Sequence, residues 1–211
     1  MIISILALSA SLVLAYAIGS FPTSFILARA MKGVDIRQVG SGNAGATNVL
    51  RTVGKWPALI TLAVDVIKGA LTVTVVAGFF YSMGIDLVFE FYQGLMGLVV
   101  VCGHIWSAFL KFKGGKGVAT TLGVALGITP LALIPTLIIW VLVFSLSSYV
   151  SLASIISLTL FPLVACFLGY SFYTVLFGVI ICSISIYKHK DNVSRLLKGE
   201  ESRTRIFNKS K

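Results

Sequence analysis

Three stretches of this chain gather glycine, hydroxyl, amide and basic residues at spacings that suit a phosphate group. The first is Gly40-Ser41-Gly42-Asn43-Ala44-Gly45-Ala46-Thr47-Asn48, with Arg51 three residues on. Glycines at 40, 42 and 45 let the backbone turn and approach a ligand, Ser41, Asn43, Thr47 and Asn48 offer side-chain hydrogen bonds, and Arg51 offers a two-pronged cation. In the second, Gly103-His104 is followed by Phe109 to Thr120 around Gly114-Gly115-Lys116-Gly117. A Gly-Gly-Lys-Gly run at a helix start can bring backbone donors and one ammonium onto an anion. The third stretch runs from Lys188 to Glu200, where His189, Asn192 and Arg195 stand three apart and therefore share one helical face.

Plainer readings fit parts of each stretch. The first is also a turn that caps the next helix through Thr47 or Asn48. In the second, Lys111 and Lys113 suit basic side chains reaching out of a membrane boundary, a role that leaves three glycines unexplained. It is not a nucleotide P-loop, because Gly117 follows Lys116 where that loop needs Ser or Thr, and Lys111 stands where it needs glycine. His104, a lone histidine near a helix end, fits a structural role as well as a ligand role. Arg203 through Lys211 reads as a basic tail on anionic lipid. Asn192-Val193-Ser194 and Asn208-Lys209-Ser210 match the glycosylation pattern, and a cytoplasmic location makes both chance matches.

The elements that must position these stretches are membrane helices. Of the 211 residues 57% are hydrophobic and 11% charged, against about 25% charged in soluble domains; the mean hydropathy is +0.99. A crossing takes about 20 apolar residues, so the chain has room for about five to seven and for no separate soluble domain; it reads as one membrane-embedded domain over 1–211. The formal charge of +10 would suggest nucleic acid in a soluble protein, but here it is read by position along the membrane, with no nucleic-acid partner. Cys102, Cys166 and Cys182 show no pairing or metal spacing and read as buried small apolar residues. A basic site with no carboxylate cluster beyond Glu200 and Glu201 is poorly suited to a metal such as Mg²⁺, and no cofactor is expected.

Every Lys and Arg except Lys68 falls in three clusters, Arg29 to Lys55, Lys111 to Lys116 and Lys188 to Lys211, whereas the loop near Asp86 and Glu90 has none. The positive-inside bias puts the three clusters in the cytoplasm and the acidic loop outside. Ile2 to Leu27, with no basic residue ahead of it, is then a retained first crossing with its N-terminus outside. Trp56 to Phe80 and Leu87 to Phe109 follow. Lys116 and Lys188 lie on the same side, so an even number of crossings separates them, yet only three apolar stretches are visible: Val118 to Phe144, Tyr149 to Leu168 and Ser171 to Tyr187. Pro130 is the natural break in the longest. The expected fold is an all-α polytopic membrane protein of seven transmembrane helices with a cytoplasmic C-terminus; Val118 to Thr129 is short for a crossing, which leaves a five-crossing arrangement open. Asp65 and Lys68, three apart in an apolar segment, read as an ion pair facing the bundle interior.

Taken together, Gly-Ser-Gly-Asn-Ala-Gly-Ala-Thr-Asn with Arg51, Gly-His with Phe-Lys-Gly-Gly-Lys-Gly-Val-Ala-Thr, and His189-x-x-Asn192-x-x-Arg195-Leu196 with Gly199-Glu200 resemble the three motifs of the PlsY family of bacterial inner-membrane acyltransferases. The resemblance also takes in Asp65-x-x-Lys68-Gly69 and spans nearly the whole chain. Departures are Ser107 where proline is common, Lys188 for arginine and Val193 for isoleucine. The resemblance implies transfer of a fatty acyl group from acyl phosphate to the sn-1 hydroxyl of glycerol 3-phosphate, with a soluble partner enzyme making the acyl phosphate and the site facing the cytoplasm. The His-x-x-x-x-Asp of other glycerol-phosphate acyltransferases is not supported, since Phe109 and Ser194 stand in the fifth place after His104 and His189.

By the same resemblance Arg51, Lys116, His189 and Asn192 hold glycerol 3-phosphate, and Ser41 sits near the acyl phosphate and helps orientation or proton transfer. Ser41, His189, Lys116 and Arg51 are the candidate catalytic residues. Gly40, Gly42, Asn43, Thr47, Asn48, His104, Gly114, Gly115, Gly117, Asn192 and Arg195 are candidate substrate contacts. His189 or a substrate phosphate oxygen takes the proton. A small transporter for phosphorylated metabolites is the competing class; alternating access expects a midplane site, whereas these polar groups collect on one side.

Overall fold

A computed structural model describes residues 1–204; Asn208 and the tail from residue 205 onward lie outside the described residues. All the regular elements among the described residues are helices, as a hydrocarbon environment demands, because each backbone donor and acceptor must be satisfied within its own segment. Helices α1 (Ile2–Ser20) and α2 (Thr23–Lys32) form one rod broken at Phe21-Pro22. A short α3 (Ala46–Thr52) follows the first glycine-rich loop. Next, α4 (Lys55–Leu71) continues through a π-helical segment, Thr72–Val76, into α5 (Ala77–Tyr81). After α6 (Phe89–Ile105) come α7 (Val118–Ile128), α8 (Pro130–Ser147), α9 (Val150–Phe167), α10 (Phe172–Tyr187) and α11 (Lys190–Leu197).

All six apolar stretches of the sequence are helical, and the longest divides in two at Thr129, immediately before Pro130. Five spans are long and apolar enough to cross a membrane, Ile2–Lys32, Lys55–Tyr81, Phe89–Leu110, Pro130–Ser147 and Val150–Phe167, and a sixth is the pair Phe172–Tyr187 and Lys190–Leu197, bent by 56°. The remaining one, α7, has 11 residues, about 16 Å at 1.5 Å per residue. The Thr204 amide donates to the Ser148 carbonyl at 2.9 Å, so the α8–α9 turn lies at the same end as the C-terminal segment. Helices α7 and α8 thus leave that end and return to it.

Small residues let the helix axes close up. A methyl group on Gly19 or Gly103 would run into the Val100 or Tyr16 carbonyl across the α1–α6 contact, and one on Gly69 or Gly123 would strike Thr120 or Val66 between α4 and α7. Where the rod breaks at Pro22, the Ser107 hydroxyl donates to the Ser20 carbonyl at 2.5 Å and the Ser20 hydroxyl to the Gly103 carbonyl at 3.3 Å. Ser107 therefore fastens the end of α6 to the end of α1. At the π-helical segment Gln93 Nε2 donates to the Val73 carbonyl at 2.8 Å. Asp65 and Lys68 pair at 2.7 Å deep in the bundle, as their spacing predicts. The expectation of three buried cysteines needs a correction: Cys182 is buried and Cys102 half-buried, but Cys166 is exposed on the outer face of α9, where lipid would meet it.

Candidate active site

The first glycine-rich loop is built around one amide. Asn48 lies on the inner face of α3, 1% exposed. Its Nδ2 donates to the Ile36 and Val39 carbonyls at 3.0 and 2.9 Å, and its Oδ1 accepts from the Ser41 amide at 2.9 Å. Both of its donors are therefore spent on the loop, which makes Asn48 a loop organiser in this structure. Gly40 and Gly42 have φ of +60° and +70°, the left-handed region that glycine enters without strain. A side chain on Gly40 would also strike the Asn48 carboxamide oxygen. The loop leaves Ser41 exposed and Asn43 and Thr47 partly so. Beside it, Asp35 and Arg37 pair at 2.6 Å, and the Arg37 guanidinium holds the Asp35 carboxyl below its usual range.

The second loop also spends its backbone on structure. The Gly114 and Gly115 amides donate to the Ile105 and His104 carbonyls at 3.0 and 3.1 Å, closing the end of α6. Those two donors are spent within the structure, and the Lys116 ammonium is the group of this run that reaches another candidate site residue. The glycines are required for space: a methyl on Gly114 would collide with the His104 carbonyl, one on Gly115 with His104 Nε2, and Gly117 has φ of +87° beside Ser185 Oγ and Ile105. His104 itself is buried and set apart from the Lys116 side chain's partners, with Nδ1 at 2.9 Å from Lys68 Nζ and 3.5 Å from Asp65 Oδ1.

The third stretch draws the remaining candidates together. Helix α10 ends at Tyr187 and the chain bends into α11 with His189 at the corner. Lys116, ahead of α7, donates to Asn192 Oδ1. Asn192 Nδ2 donates to Glu201 Oε1 at 2.7 Å, Arg195 Nε to Glu201 Oε2 at 2.7 Å, and Ser151 Oγ to Glu201 Oε1 at 2.8 Å. Arg51 Nη2 donates to the Ser202 carbonyl at 2.9 Å and to Thr204 Oγ1 at 3.0 Å. Asn192 and Arg195 thus meet a common group, as a shared helical face requires. Glu201 is the residue that reading the sequence did not single out as part of a site. Its one visible signal is a carboxylate inside a basic run, and its partner Ser151 lies 50 residues away, beyond any local pattern.

The electrostatics of the cluster follow from partial burial among cations. Burial pushes the Lys116 ammonium down to about 8, opposed by Glu201 and reinforced by Arg195 and Arg51. Burial, with Lys116 nearby, pushes the His189 imidazole down to about 4. His189 is therefore neutral at pH 7. Its Nδ1 lies 2.8 Å from the Ser185 carbonyl, an acceptor, so the proton sits on Nδ1 and the lone pair on Nε2. Burial raises the Glu201 carboxyl, but the hydrogen bonds from Arg195, Ser151 and Asn192 outweigh it and hold the group below its usual range. A neutral imidazole, an amide and three cations gathered about one carboxylate leave net positive charge at this end of the bundle.

The fold and site define a polytopic membrane protein with an anion-handling cluster at one end of its helices. Residues 9–199 match the model of the glycerol-3-phosphate acyltransferase family. Among relatives, the glycerol-3-phosphate acyltransferase of Desulforudis audaxviator is 44% identical over 191 residues, 90% of this chain and 92% of the relative. That of Endomicrobium trichonymphae is 42% identical over 198 residues, covering 94% and 96%. The crystal structure of PlsY, an integral membrane glycerol 3-phosphate acyltransferase in its glycerol 3-phosphate form, superimposes with a TM-score of 0.85 at 36% identity, over 94% of this chain and 96% of that one. Its lysophosphatidic acid form gives 0.82 at 35% identity. The chain belongs to the PlsY family of glycerol-3-phosphate acyltransferases.

Proposed function

We propose that this glycerol-3-phosphate acyltransferase takes its acyl group from acyl phosphate and delivers it to the sn-1 hydroxyl, giving 1-acyl-sn-glycerol 3-phosphate (lysophosphatidic acid) and inorganic phosphate. The whole chain works as one membrane-embedded domain, with the site on the cytoplasmic face of a bacterial inner membrane. This is the first step of phospholipid synthesis, and a soluble enzyme supplies the acyl phosphate. The observation that carries the reading is the meeting of Arg51, Lys116, His189, Asn192 and Arg195 around Glu201. Arg51, Lys116 and Arg195 receive the glycerol phosphate, and Asn192 orients it. His189 Nε2 accepts the proton of the attacking hydroxyl as the new ester C–O bond forms and the acyl carbon parts from phosphate. An acyl phosphate is already activated, so a weakly basic imidazole suffices. Ser41, exposed on its glycine loop, orients the donor phosphate. Its tail lies in the apolar groove between α7, α9 and α10 that begins at Thr121 and Ile181 and reaches Ile128, Phe161 and Phe177.

The reading is tested by product analysis on detergent-purified protein given glycerol 3-phosphate with palmitoyl phosphate or palmitoyl-CoA. Lysophosphatidic acid acylated at sn-1, formed with palmitoyl phosphate alone, is the expected outcome. Product from palmitoyl-CoA only, or acyl groups at sn-2, would overturn it.

A further inference from the structure

Behind the Gly-Gly-Lys-Gly loop lies a buried charged trio that the proposed mechanism does not use. Asp65 and Lys68 of α4 pair at 2.7 Å, and both reach the same ring nitrogen of His104 on α6, Lys68 at 2.9 Å and Asp65 at 3.5 Å. All three side chains are at most 7% exposed. Lys68 Nζ also lies 3.5 Å from the Phe21 carbonyl at the broken α1–α2 rod. Taking charge into an apolar bundle is costly, and one ion pair would serve packing no better than two apolar side chains. What distinguishes this trio is the imidazole it fixes. With Nδ1 held, the opposite edge of the ring faces Gly115, so closely that a methyl there would meet Nε2, while the His104 carbonyl takes the Gly115 amide at 3.1 Å. The residue that follows is Lys116, the cation bonded to Asn192.

We infer that His104, gripped by Asp65 and Lys68, is a positioning residue: its ring is the floor on which the Gly114-Gly115 backbone rests, and so sets where Lys116 stands relative to Asn192 and Arg51. This assigns His104 no contact with substrate. It rests on the reading of Lys116 as a phosphate ligand, and it predicts an effect on glycerol 3-phosphate affinity greater than on turnover at saturation.

The test is a size-exchange cycle of His104→Ala, Gly115→Ala and the double variant, with His104→Gln as a conservative replacement. Two quantities are read: KM and kcat for glycerol 3-phosphate, and the glycerol 3-phosphate concentration that gives half-maximal thermal stabilisation in detergent without acyl donor. Each alanine variant is expected to weaken glycerol 3-phosphate about tenfold with kcat changed less than threefold. The double variant is expected to be at least fivefold better than the product of the two losses, because the alanine methyl fills space the ring has vacated; His104→Gln should recover part of the affinity. Losses that multiply, or that fall on kcat alone, overturn the inference. The donor-free measurement stays readable if palmitoyl phosphate is not the donor, and a Lys116→Met control with unchanged affinity would locate the failure in the reading of Lys116.

Discussion

The Gly40–Asn48 loop and the Lys188–Thr204 segment both gather polar residues, yet they use them in different ways. In the loop the central amide, Asn48, spends both its donors on the Ile36 and Val39 carbonyls and its oxygen on the Ser41 amide. In the C-terminal segment Asn192 and Arg195 converge on the Glu201 carboxylate, with Lys116 joining from the loop ahead of α7. Asn48 is thus scaffold for the loop, whose exposed Ser41 remains available to a ligand. A cluster whose cations exceed its one carboxylate has charge left for a ligand, so side-chain type alone does not separate framework from site.

Substitutions should part the two regions by what they change. The largest effect is expected from His189→Ala, which removes the proposed base and should lower kcat by about 100-fold or more with little change in glycerol 3-phosphate KM. A comparable loss in KM alone would make His189 a ligand. Asn48→Ala should act on stability: it strands two carbonyls and an amide, each worth about 1–3 kcal/mol when buried without a partner. Its signature is a lower melting temperature, while the fraction that remains folded keeps near-parental KM. A parental melting temperature with a raised KM would move Asn48 into the binding cluster.

The next effect is on pH. Lys116, with its value pushed down to about 8, is charged below that pH and neutral above it, so kcat/KM for glycerol 3-phosphate should fall as pH rises through about 8. Lys116→Arg should move that alkaline limb upward, and a limb left in place would assign it to another group. Glu201→Gln keeps the shape of the carboxylate and removes its charge, and a severalfold change in KM is expected with kcat preserved. The smallest effect belongs to Thr204→Val, which deletes one partner of Arg51; a two- to fivefold rise in KM, reversed by Thr204→Ser, would tie the C-terminal strap to Arg51.

Much of this was legible in the chain. Apolar runs and Pro130 mark the helices and the Thr129 break, and the three-residue spacings forecast both the Asp65–Lys68 pair and the shared face of Asn192 and Arg195. The role of the glycines was not, because Gly114 and Gly115 lie in a loop and are fixed by the approach of His104, ten and eleven residues earlier on α6. Nor was the part played by Glu201, whose partner Ser151 is distant in sequence. Periodicity reports which face is apolar; it does not report which carboxylate a folded chain brings back to a cation.

On the function proposed above, Lys116 and its neighbours, rather than the amides of the glycine loops, bind the phosphate of glycerol 3-phosphate. The most direct test of that assignment is the dissociation constant of radiolabelled glycerol 3-phosphate for Lys116→Met against the parent protein at pH 7. Loss of one charge-assisted contact predicts a rise of about 10- to 100-fold with the melting temperature of the free protein unchanged. An unchanged dissociation constant would contradict the account.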